Sequence, residues 1–114
     1  MIPIQEVIVS TDKGAQHTIH IIQPQTGSPF SSEIIVYDPQ FHTLYSSLVP
    51  IGASYTTAAD AFENAFKWVA GWLQSKGQNA VKITNPCNCE FLDTATQSSI
   101  TQKHGISTQV QVNA

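Results

Sequence analysis

One segment of this chain carries a helical period while the apolar runs on either side of it carry the period of a strand, and that switch limits the fold more than any other feature. The segment is Thr57 to Gly77, TAADAFENAFKWVAGWLQSKG. Thr57 stands three residues before Asp60, so its hydroxyl can cap the N3 amide while the carboxylate reaches back to the cap's own N–H. Lys76 in the last turn offsets the negative end of the helix dipole, and Gly77 just beyond it can take a left-handed conformation. Between these ends Ala58, Phe62, Ala65, Phe66, Val69 and Leu73 recur at three- and four-residue steps and fall on one stripe about 80° wide, the core contact. Asp60, Glu63, Asn64, Lys67, Gly71 and Gln74 take the opposite side, where Glu63 four residues before Lys67 has the spacing of an exposed ion pair.

Two tryptophans fit neither side. At about 100° per residue from Phe62, Trp72 lies roughly 80° from the stripe centre and Trp68 about 120° from it, beside Ala61 and Ser75. Each indole buries on the order of 150–250 Å², so something is expected to cover them. Either the chain itself supplies that cover, or Ala61, Trp68 and Trp72 belong to a contact with another subunit or protein, where tryptophan is enriched.

Before the helix the pattern is that of hairpins. Residues 4–10 (IQEVIVS) and 16–23 (QHTIHIIQ) flank Asp12-Lys13-Gly14, a turn whose third residue suits a positive φ. Residues 24–32 hold two prolines and a glycine and read as an exposed loop with Phe30 as its anchor. Residues 33–37 (EIIVY) and 41–49 (FHTLYSSLV) flank Asp38-Pro39-Gln40, a second hairpin. An even loop would set Tyr37 against His42 and Ile35 against Leu44, with Ile34, Val36 and Tyr45 on the other face; an odd loop would swap the faces of the second strand. After the helix, residues 80–84 make a short strand ended by Asn85-Pro86. A Thr/Gln/Ser-rich stretch over 94–102 has little to bury, and Ile106 to Val112 alternates as a half-buried strand. The order predicts an α+β fold for residues 1–114 as one domain: an antiparallel sheet of five to six strands, made of two N-terminal hairpins and one or two C-terminal strands, with one long helix across a face.

Composition narrows the function classes. Only 11% of the residues are charged, against about 25% in an average domain, and Ser, Thr and Gln supply 33 of 114. The net charge is −3, and the five basic residues are all lysines, at 13, 67, 76, 82 and 103, with no arginine. Clustered cations and the guanidinium fork carry most nucleic-acid recognition, so this balance argues against nucleic acid as a partner. The N-terminus, MIPIQEVIV, lacks a basic n-region and a long apolar run, and two cysteines two residues apart cannot staple distant segments; a cytoplasmic protein without a membrane span is the expectation.

Chemistry has one candidate. Alternate residues of an extended segment project to one side, so Cys87 and Cys89 are able to offer two thiolates to one zinc ion with His104 as a third ligand, although structural zinc sites use wider cysteine spacing and four ligands. Two reduced structural cysteines are the simpler reading. His17 and His20 face opposite sides of a strand, and with His42 they are expected on the sheet surface. The eight acidic residues are scattered, and no nucleophile elbow, phosphate loop, H-E-x-x-H or dinucleotide fingerprint is present. The sequence therefore predicts a small non-enzymatic binding or regulatory module without a cofactor, self-associating or docking a protein partner through the helix flank; the thiol or metal site is the alternative.

Overall fold

The alternation of the N-terminal half becomes the middle of a sheet. A computed structural model describes residues 3–23, 25–39, 43–48, 54–85, 94–106 and 110–112. In it β1 (Pro3–Thr11), β2 (Gln16–Ile22), β3 (Ser31–Asp38) and β4 (Thr43–Leu48) form an antiparallel meander. They are followed by α1 (Ala58–Lys76), β5 (Ala80–Asn85), α2 (Thr94–Lys103) and β6 (Val110–Val112). The strand order is β4-β3-β2-β1-β5-β6. The fold is α+β, with α1 laid across β2 and β3 and α2 packed on α1 and β6.

Strand alternation divides the sheet into two faces. Val7 and Val9 of β1, Ile19 and Ile21 of β2, Ile34 and Val36 of β3 and Ile83 of β5 point under the helix layer and are buried. Against them α1 sets Ala58, Phe62, Ala65, Phe66, Val69 and Leu73, the whole of the expected stripe. The alternate residues Ile8, Thr18, His20, Glu33 and Ile35 lie on the other face and are half-buried, with Tyr37 more exposed. The caps of α1 explain its limits: the Asp60 amide donates to Thr57 Oγ1 at 3.1 Å, and Gly77, at φ 65°, returns the chain through its own amide to Gln74 and the Gln78 amide to Leu73. Gly14 closes the first hairpin with φ 86°, and Phe30 anchors its loop by pairing with Tyr55 through two 2.7 Å backbone bonds.

Several expectations are corrected. The Thr/Gln/Ser-rich stretch is a helix, α2, whose enclosed side is polar: Gln97 and Thr101 are buried, and Ile100 and Ile106 pack on the rim of the core. Ile106 does not open a strand, because its amide folds back to the Thr101 carbonyl at 3.0 Å and closes the helix. The α2 crossover turns β6 parallel to β5, so the sheet is not antiparallel throughout. In the second hairpin Tyr37 pairs with Leu44 and Ile35 with Ser46, the faces of an even loop but two residues further along. Glu63 does not serve Lys67; it turns to α2, where Lys103 Nζ lies 2.8 Å away and His104 Nε2 3.2 Å. His17 is no surface residue, since it lies on the helix-covered face with nothing exposed, while His42 falls outside the described residues.

Candidate functional site

Viewed down its axis, α1 has two flanks between its buried stripe and its outer side, and they are treated differently. Glu63, Ala70 and Gln74 lie on one, Ala61, Trp68, Trp72 and Ser75 on the other, following the 100° step. The first flank is taken by α2. Lys103 and His104 lower the pKa of the Glu63 carboxylate, Lys103 more strongly. Between α1 and the end of α2 lies a cavity of about 650 Å³, lined by Gly71, Leu73, Gln78, His104 and Ile106 among others. Gln78 is buried there, accepting from Thr11 Oγ1 at 2.8 Å, and its amide nitrogen has no protein partner.

The second flank carries the tryptophans, and the sheet supplies part of their cover. His17 of β2 meets Trp72 edge-on at 4.5 Å between ring centroids and Trp68 at 6.2 Å. Trp72 is left 9% exposed, and Lys76 Nζ lies 5.9 Å from its ring centroid, at the limit of a cation–π contact. Ala61 is wholly enclosed in the core and presents no surface. Trp68 stays half-buried at the rim of the core. Beside it opens a groove of about 360 Å³ lined by Lys67, Trp68, Gly71, Trp72 and Ser75. Gly71 leaves the helix backbone bare at this groove, for a Cβ built there meets no atom within 4 Å. A mid-helix glycine costs up to about 1 kcal/mol against alanine, and nothing among the described residues requires it.

His17 was the missing cover, and a signal for it existed. Ala15, His17, Ile19 and Ile21 form one alternating row, which puts the ring on the buried face. Burial lowers its pKa to about 4, against a smaller opposing effect of the Asp38 charge. Among the described residues neither ring nitrogen has a hydrogen-bond partner, so the neutral imidazole behaves here as an aromatic packing group. On the opposite face His20 lies between two carboxylates, Nε2 2.8 Å from Glu6 and Nδ1 3.4 Å from Glu33.

Of the thiol site, Cys87 and Cys89 lie outside the described residues, and His104 is engaged with Glu63. Among the described residues no three histidine, cysteine or acidic side chains converge on a point where a metal ion would fit. No described helix is long and apolar enough to cross a membrane. Comparison with known proteins finds no family model, no curated protein and no solved structure significantly similar to this chain.

Proposed function

We propose that this protein is a small non-enzymatic binding or regulatory module of the cytoplasm that self-associates and uses the α1 flank around Trp68 and Trp72 as its protein contact surface. The observation that carries the reading is the groove at Gly71: a half-exposed indole stands beside bare helix backbone on the one flank of α1 that α2 leaves open. Indoles that remain accessible beside a recess are the usual anchors of protein contacts. The scattered lysines and the absence of arginine favour protein over nucleic acid as the partner.

Two substitutions test it, one removing the anchor and one filling the recess. Trp68→Ala and Gly71→Leu are each expected to lower the assembly state seen by native mass spectrometry. Gly71→Leu should leave the protomer at least as stable, because the site has room and leucine is the better helix former. Trp68→Ala should cost about 1–2 kcal/mol, less than a fully buried aromatic. An assembly that both variants leave unaltered, with Trp68→Ala losing the 3–5 kcal/mol or so of a core aromatic, would make Trp68 ordinary core.

A further inference from the structure

Self-association through the flank leaves open where the backbones of two copies join, and the edge of the sheet indicates a place. We propose that the partner is a second copy of this chain, joined by antiparallel pairing of the two β4 strands about a two-fold axis. The inference rests on the flank reading for the role of Trp68 and goes beyond it in placing the seam.

The strand order leaves β4 at one edge and β6 at the other. An edge strand offers a row of backbone donors and acceptors to any chain that can pair with it, and folded proteins guard such edges with lysine, proline, bulges or shortness. β6 is described over three residues, Val110–Val112. β4 has six residues, TLYSSL, with no charge and no proline, and its register with β3 runs through all six pairs without a shift. Among the described residues none of the usual guards lies along it.

Position links this edge to the tryptophans. α2 lies on the side of α1 that leads to β6, since it packs on both. The Trp68 flank is the opposite one, so it looks toward the side of the sheet that ends in β4. A copy arriving at β4 therefore meets the free edge and the uncovered flank from the same direction.

Symmetry then fixes the pairing. Two copies of one strand pair antiparallel only about an axis perpendicular to the sheet, which leaves a residue facing its own mate and keeps both helix layers on one side. The middle of β4 is Tyr45 or Ser46, both uncharged, so no like charges meet at the axis. The contact is isologous and closes as a dimer, whereas β4 on a neighbour's β6 would propagate.

Ser46→Lys is the decisive variant. Ser46 pairs with Ile35 in the middle of the strand, so lysine there sets two ammonium groups opposite or diagonal to one another in the pair. The full chain is expected to be a dimer by native mass spectrometry and light scattering, with association weakened about tenfold or more by Ser46→Lys and unaffected by Ser46→Thr. A wild-type chain that stays monomeric at every concentration overturns the proposal, as does a dimer that Ser46→Lys leaves unchanged. If Trp68→Ala dissolves the dimer and Ser46→Lys does not, the β4 seam falls and the flank reading stands; the reverse pattern keeps the seam and removes the flank. Hydrogen exchange on the wild type supplies a readout independent of the variant's folding. Amides of residues 43–48 should gain protection as concentration rises, and protection that is indifferent to concentration counts against the seam.

Discussion

At position 17 the chain encloses a titratable ring between Val9 of β1 and Val36 of β3, under two indoles, and gives neither nitrogen a partner among the described residues. The cost appears when the ring takes up a proton. Its pKa falls from 6.5 in an open chain to about 4 in the fold, chiefly through burial. The unfolded chain thus binds the extra proton first as pH drops, so this residue's stabilising effect is complete above about 6.5, declines through the interval, and is gone below about 4. Over the whole interval the loss is on the order of 3 kcal/mol. His17→Phe keeps an aromatic ring for the tryptophans without a proton to accept. Urea unfolding at pH 7 and pH 5 should therefore show wild type losing about 2 kcal/mol more than the variant between the two. Equal losses in both would mean that the ring finds a partner or water on protonation. His20, three residues on and across the sheet, lies between Glu6 and Glu33, which shows how far one step in strand parity decides a histidine's surroundings.

Among the elements, the two helices differ in what holds them. α1 is bound by a continuous apolar stripe and closed by side-chain and glycine caps, whereas α2 buries Gln97 and Thr101 and is tied to α1 by Lys103 and His104 through the Glu63 carboxylate. An element with few apolar contacts opens at lower free energy than one in the core. Glu63→Gln should accordingly speed hydrogen exchange across α2 while leaving α1 protected; uniform loss in both would show that the helices open as one unit. The same difference decides what could be read from the sequence. α1 was legible to its caps because period, caps and dipole charges agree. α2 was hidden because Thr, Ser and Gln have modest helix propensity and its buried side makes no apolar stripe. The β6 pairing was hidden with it, since a parallel strand requires the crossover helix that had not been seen. Trp68 was legible as a flank residue by angle alone. The depth of Trp72 depends on His17, a residue from another element, and helical angle carries no information about that.

At the scale of the whole molecule, a low charge density, one sheet face without a helix among the described residues and β4 at the edge of the sheet bear on the same behaviour. With a net charge of −3 and an isoelectric point near 5.7, the chain loses its long-range self-repulsion in the pH interval where protonation of His17 favours the open state. Opened or partly opened chains then present β4 and the half-buried Ile8 and Ile35 with little charge to keep them apart. Turbidity on heating should peak close to the isoelectric point and fall away by pH 8. Two lysine variants separate the causes: Ser46→Lys adds one charge on the edge strand, and Gln74→Lys adds the same charge on an exposed position of α1. Both raise the isoelectric point equally, so a shift of the turbidity maximum common to both reports net charge. A lower maximum in Ser46→Lys alone reports the edge, and it is the expected result, because a charge acts on strand pairing only where the strands would meet. Equal maxima would leave net charge as sufficient explanation and put association in the unfolded chain rather than along β4.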